Sequence, residues 1–201
     1  MSEFQRWEGR FAAEHFVFGT EPNAFLARNA ARIPPGSRVL SLADGEGRNG
    51  VWLAGQGHAV LAQDFSPTAQ AKARGLAAER GVTLDWELSD ITQRDWAPAA
   101  FDAVVGIFFQ FLAPDARAAV FAGIAQTVKP GGLVLIEGYG PKQLDYGTGG
   151  PKVLENLYTE TLLREAFAEF SEIETAAYDA EVDEGPGHSG MSALVDLIAR
   201  K

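Results

Sequence analysis

The sequence predicts an α/β protein: a doubly wound, mostly parallel seven-stranded sheet whose last strand runs antiparallel. Three observations carry this expectation. Short apolar runs bounded by turn residues alternate with helical stretches from residue 37 to residue 137. The run from Phe101 to Phe108 is apolar on both faces, as a central parallel strand should be. Near the end, residues 171–178 and 192–199 read as strands joined by a Gly/Pro-containing connection, an antiparallel pair at one edge.

The elements follow in order. Residues 1–35 form an N-terminal helical extension. Residues 37–42, between Ile33-Pro-Pro-Gly36 and Asp44-Gly-Glu-Gly47, read as a buried first strand. Residues 49–55 form a short helix stopped by Gly57, and residues 59–63 a second strand ending at Asp64. Ser66-Pro67 suits an N-cap with proline in the first helical position, and the alanine-rich stretch 69–80 is a helix closed by Gly81. Residues 82–88 make a third strand and 101–108 a fourth. Pro114 opens a helix to about residue 128, and Lys129-Pro-Gly-Gly132 turns the chain into a fifth strand over 133–137. Residues 141–151 read as a long loop, and 159–167 as a helix. There is no internal repeat or linker, so residues 1–201 are expected to form one domain.

Composition narrows the function. Of 201 residues, 46% are hydrophobic and 22% charged, the profile of a globular chain and not of a disordered one. Cysteine is absent, which removes disulfides, thiolate metal sites and a cysteine nucleophile together. His15, His58 and His188 are too scattered to suggest a metal site. A net charge of −10 with no basic stripe argues against a nucleic-acid partner. The start lacks the apolar core of a secretory signal, and no run approaches the roughly 20 apolar residues that span a bilayer. The expectation is a cytoplasmic protein without a membrane partner, monomer or homodimer, acting on a small molecule.

The first strand runs into Ala43-Asp-Gly-Glu-Gly-Arg-Asn-Gly50. Gly45, Gly47 and Gly50 have the spacing of a nucleotide-binding turn, and Asp64 lies where an acid would hold a ribose diol. Charge separates the candidate ligands. A pyrophosphate would meet Asp44 and Glu46, whereas a sulfonium and an ammonium would be attracted by them. A cofactor carboxylate could use Arg48 or the free N–H groups near Asn49. The simpler alternative is that Gly45 and Gly47 only make a tight strand-to-helix turn.

This loop resembles the first motif of class I S-adenosylmethionine-dependent methyltransferases, a Rossmann-like family, and is most similar to their tellurite-resistance and thiopurine methyltransferase-like small-molecule group. Phe18-Gly-Thr-Glu-Pro-Asn23, Gln63-Asp-Phe-Ser-Pro67, Ser89-Asp-Ile91, Phe101-Asp-Ala-Val-Val105, Lys129-Pro-Gly-Gly132 and the segment 141–151 extend the resemblance along the chain. It implies S-adenosyl-L-methionine as cofactor and S-adenosyl-L-homocysteine as product. It places Asp64 on the ribose, Phe65 against the adenine with Ser66 beside it, Asp90 and Ile91 at the adenine amino edge, and Ile107 near the methionine part. The N-terminal segment, with Trp7, Arg10, Phe18 and Gly19, would close over the site. Two positions depart from the pattern: Ser41 stands where the family has Asp, and Ala43 where it has Gly. The first touches anchoring of the methionine end. The second puts a Cβ where a glycine pattern implies a positive φ, at about 1 kcal/mol.

Candidate chemistry lies beyond the glycine loop. His188, on Gly185-Pro-Gly-His-Ser-Gly190, could be a base or substrate contact, or a turn-bonded histidine. Glu137 ends the fifth strand at the ligand-binding edge of the sheet. Tyr139 and Tyr146 could orient a substrate or simply pack. Phe108, Phe109 and Phe111 could form an aromatic wall for a sulfonium, or core. Residues 181–184 read as a solvated acidic connection. No catalytic dyad is visible, which mildly favours a soft acceptor (thiol, chalcogen oxyanion or amine) over a hydroxyl that needs a base. The leading expectation is methyl transfer to a small molecule. The alternatives are a non-catalytic cofactor-binding protein of the same fold and, less favoured by the acidic loop, an NAD(P)-dependent oxidoreductase.

Overall fold

The computed structural model describes residues 2–201. Its sheet has seven strands: β1 (Arg38–Leu42), β2 (Ala59–Asp64), β3 (Asp85–Leu88), β4 (Phe101–Ile107), β5 (Val128–Tyr139), β6 (Glu172–Asp183) and β7 (Ser189–Arg200). They lie in the order β3-β2-β1-β4-β5-β7-β6. β1 to β5 pair in parallel, and β7 runs antiparallel to both β5 and β6. The strand order reverses between β1 and β4, which opens the crevice at the carboxyl ends of the central strands.

Helices cover both faces: α1 (Glu3–Phe11), α2 (Ala24–Asn29), α3 (Arg48–Gly55), α4 (Pro67–Arg80), α5 (Pro114–Thr127), α6 (Gln143–Tyr146) and α7 (Glu160–Ala166). Alternation along the central strands sorts the core into two layers. Leu40, Val104, Val134 and Ile136 pack with Phe121, Ile124 and Phe167 of the α5–α7 side. Val39, Val105, Leu133 and Leu135 pack with Phe25, Leu26 and Leu53 of the α2–α3 side.

The caps are those the sequence predicts. Ser66 Oγ accepts from Ala69 N, Pro67 begins α4, and Gly81 ends it in the left-handed region. The third strand starts at Asp85 and not at residue 82, because Val82 N–H turns back to the carbonyl of Ala77 and finishes the helix. The loop after β5 contains the turn α6, held by buried Gln143, which accepts from Ala193 N at 2.9 Å. β6 and β7 each run to 12 residues, longer than expected, with pairing that reaches Asp183 and Ser189. Their hairpin tip therefore stands over the crevice. Among the described residues, no helix is long and apolar enough to cross a membrane.

Candidate active site

A cavity of about 310 Å³ opens over the carboxyl ends of β1, β4 and β5. Its floor is the turn from β1 into α3. Ala43 takes φ +47°, so this non-glycine residue does sit in the left-handed region. Gly45 (φ +58°) offers its N–H to Asp64 Oδ2 at 2.8 Å, and Asp64 Oδ1 accepts from Ser66 N at 2.8 Å. Two backbone donors thus orient the Asp64 carboxylate, while burial pushes its pKa up.

Asp44 ties the turn to Ser41 and to the first turn of α3. Its Oδ1 accepts from Ser41 Oγ at 2.6 Å and from Gly50 N at 2.9 Å. Its Oδ2 is buried with no partner. Burial raises the Asp44 pKa to about 6, the two hydrogen bonds oppose that, and neighbouring Asp64 adds to it. The other acids of the site have cations: Glu46 pairs with Lys72, and Glu184 with Arg48 at 2.6 Å. Asp44 and Asp64 have none among the described residues.

Aromatic rings build the walls. Trp7 stacks on Phe11 (5.6 Å) beside Phe18, and the Arg10 guanidinium lies over both Trp7 and Phe18. α1 is tied down by Glu8, which accepts from the hydroxyls of Ser66 and Thr68. Phe65 and Phe111 lie parallel, 6.0 Å apart, and border a small recess shared with Asp90 and Ile91. Phe108 takes φ +54° directly after β4 and meets Tyr139 (4.7 Å) and His188 (4.1 Å). A left-handed non-glycine residue costs about 1–3 kcal/mol, and such strain concentrates at sites. The Gln110 side chain clamps the end of β5, donating to Tyr139 O at 2.9 Å and accepting from Tyr139 N at 2.5 Å.

The structure brings together Phe18, Gly19, Ala43, Asp44, Gly45, Glu46, Arg48, Asn49, Asp64, Phe65, Ile107, Phe108, Phe111, Tyr139 and His188 around this one cavity. Six sequence-based expectations need correction. Gly47 (φ +91°) faces α4, where a Cβ would come within 2.7 Å of that of Ala73; it packs helices and does not line the cavity. Ser66 is fully buried as a helix cap. Phe109 lies in the core, edge-on to Phe121 and Tyr158. Tyr146 points away, beneath the Lys142 ammonium. Glu137 is sealed under the site, accepting from Asn23 Nδ2 at 2.5 Å and Tyr178 OH at 3.3 Å. Burial, then the facing Asp196 on β7, pushes the Glu137 pKa up. Finally, Arg48 lines the cavity but with Nη1 already on Glu184 at 2.6 Å, so it meets a cofactor carboxylate as a partnered cation.

Glu184 is the residue that sequence reasoning missed. Placed in a supposedly solvated acidic run, it is instead held by Arg48, Ala24 N (3.0 Å) and Asn23 Nδ2 (3.1 Å). Burial alone would raise its pKa; His188, Arg48 and the Ala24 N–H outweigh that and hold it near 2. The only local hint was its spacing of four residues from His188.

Comparison with known proteins agrees with this geometry. Residues 39–132 match a family described as a methyltransferase domain. An uncharacterised protein of Mycobacterium tuberculosis is 31% identical over 105 residues, covering 52% of this chain. That alignment takes in 38% of the relative, so the chain matches well under half of its length. A structure from work on converting a disulfide into a thioacetal during echinomycin biosynthesis has TM-score 0.76 and 21% identity, covering 100% of this chain and 93% of the other. TehB of Haemophilus influenzae has TM-score 0.70 and 19% identity, covering 98% and 66%. The N-methyltransferase NodS of Bradyrhizobium japonicum, in complex with S-adenosyl-L-homocysteine, has TM-score 0.70 and 14% identity, covering 98% and 97%. At these identities the solved structures speak for the fold.

Proposed function

We propose that the chain is a class I S-adenosylmethionine-dependent methyltransferase, a reading supported by its match to a methyltransferase domain over residues 39–132, and that it transfers a methyl group to a small-molecule acceptor. The observation that carries this reading is the pair of buried carboxyls, Asp44 and Asp64, that face the cavity with no cation of their own. Asp44 Oδ2, buried without a partner against Gly50, leaves uncompensated negative charge beneath the cavity, which favours a cationic ligand. A pyrophosphate on this turn would lie beside Asp44 and Asp64, carboxyls with no ion-pair partner, which disfavours a nicotinamide dinucleotide. The donor set therefore fits S-adenosylmethionine.

In this reading Asp64 takes the ribose hydroxyls, preset by Gly45 and Ser66 N–H. Phe65 and Phe111 flank the adenine, with Asp90 and Ile91 at its amino edge. Asp44, buried beneath the turn, favours the ammonium through its charge. Arg10, which has no carboxylate partner among the described residues, replaces Arg48 as the group for the cofactor carboxylate. The bound cofactor supplies an activated methyl on a sulfonium, so the protein's share is alignment and exclusion of water. Trp7, Phe11 and Phe18 of the N-terminal segment, residues 1–35, supply that exclusion as a lid. Phe108 and Tyr139 shape the acceptor side, where the wider expectation for Phe111 gives way to its place beside Phe65.

Calorimetric titration tests this reading. S-adenosylhomocysteine should bind with micromolar affinity, and NADH should not bind. Equal binding of both, or of NADH alone, would overturn the cofactor assignment.

A further inference from the structure

We propose that His188 and Glu184, at the tip of the β6–β7 hairpin, act together to take a proton from the acceptor, and that the acceptor is accordingly a hydroxyl compound protonated near neutral pH. This inference rests on the methyl-transfer reading above and extends it to the class of nucleophile.

The His188 ring is caged by Phe108 (4.1 Å), Phe18 (5.2 Å) and Tyr139 (5.4 Å), all residues that line the cavity. Nδ1 faces Glu184 Oε2 at 3.5 Å. Nε2 has no protein partner among the described residues and is not sealed from the cavity. The hairpin does not need this side chain for its turn. Backbone bonds already close it, from His188 N to Gly185 O (2.9 Å) and from Glu184 N to His188 O (2.8 Å).

The orientation is fixed from behind. Arg48 of α3, Ala24 N and Asn23 hold the Glu184 carboxylate, and the carboxylate faces the ring. The charged and titratable groups around His188 are Glu184 on the hairpin, Arg48 from α3, Arg10 from α1 and Tyr139 from β5. Burial keeps the imidazole neutral, Glu184 opposes this, and the two arginines support it. A neutral ring with its proton on Nδ1, toward Glu184, leaves the Nε2 lone pair open to the cavity. Nucleophile, base and orienting carboxylate then stand in the usual sequence for an activated hydroxyl. A thiolate or chalcogen oxyanion would have no use for it.

The step balances. The acceptor O–H bond breaks as its proton passes to His188 Nε2, and the O–C bond forms at the methyl carbon. The S–C bond breaks with its electron pair going to sulfur, and the imidazolium, paired with Glu184, later returns the proton to solvent.

The test uses two acceptors with the same body, para-cresol and para-thiocresol, the latter largely thiolate near neutral pH. His188→Gln should lower kcat/KM for para-cresol by about 100-fold or more. It should lower para-thiocresol turnover and S-adenosylhomocysteine affinity by far less, within about threefold. Glu184→Gln, which alters a positioning residue, should move the acidic limb of the para-cresol pH profile downward, since Glu184 raises the His188 pKa. Nitrogen-15 spectra should show the Nδ1–H tautomer in the wild type. Equal loss on both acceptors, no loss on either, or a pH limb that stays in place would overturn the proposal. So would a wild-type protein that binds S-adenosylhomocysteine yet methylates only para-thiocresol or neither compound. Failure to bind S-adenosylhomocysteine would instead remove the methyl-transfer reading beneath it.

Discussion

The two sides of the cavity are built by different means. On the cofactor side, Asp64 is held by the N–H groups of Gly45 and Ser66, and Asp44 by Ser41 and Gly50, partners 2 to 19 residues away. On the acceptor side, Glu184 is held by Arg48 and Asn23, 136 and 161 residues away, and Glu137 by Asn23 across 114. One side is a backbone cradle written in a short segment. The other is a side-chain network that exists only once the β6–β7 hairpin has docked. Damage to the first should remove binding and spare the fold, whereas damage to the second should cost stability.

The largest expected effect is on the network. Arg48→Met leaves the buried Glu184 carboxylate without its cation, a loss of about 3–5 kcal/mol for a buried pair. At about 2–4 °C per kcal/mol for a chain of this size, Tm should fall by at least several degrees in a thermal scan. An unchanged Tm would make the network ornamental. Asp64→Ala comes next and acts the other way. S-adenosylhomocysteine affinity should drop by about 100-fold in calorimetry, the loss of hydrogen bonds to a charged group, while Tm moves little. A collapse of the fold instead would erase the contrast between the sides.

A smaller effect is a pH dependence within the network, where two carboxyls pull in opposite directions. A carboxyl whose native pKa is raised contributes stability that is complete below its unfolded value and lost as pH rises through the native one. Glu137 is such a group, so Tm should decline as pH climbs above the ordinary glutamate value of 4.5. Glu137→Gln should flatten that decline, and a slope identical to wild type would remove Glu137 from the account. Glu184, whose pKa is depressed, contributes only where it is ionised and loses its share as pH falls through the acid range. The smallest effect is Tyr146→Phe, which should leave both cofactor affinity and acceptor kinetics unchanged, because that ring lies outside the cavity. A kinetic change would bring α6 into the acceptor side.

The same contrast explains what could be read from sequence. The strand–helix alternation, the Ser66 cap and the acids of the glycine loop all depend on neighbours close in the chain, where periodicity and turn chemistry speak directly. The three phenylalanines after β4 could not be sorted that way. The positive φ of Phe108 turns it into the cavity and leaves Phe109 in the core, a choice local composition does not encode. Glu184 looked like a surface acid because its partners, Arg48 and Asn23, come from the other end of the chain. Tyr146 looked like a site residue because its loop is near the site, yet α6 turns the ring outward.

The hydrogen bond between Ser41 and Asp44 has a consequence for how this loop can change over generations. The related pattern carries its acid at position 41; here the acid sits three residues later and reaches the same turn, with Ser41 as its donor. Acids at both positions would press two carboxylates together, and an acid at neither would leave Gly50 N–H unmet. Moving the acid between positions 41 and 44 therefore passes through one of these two states, which ties the two positions to each other. A signature that demands aspartate at the strand position would overlook a chain built this way.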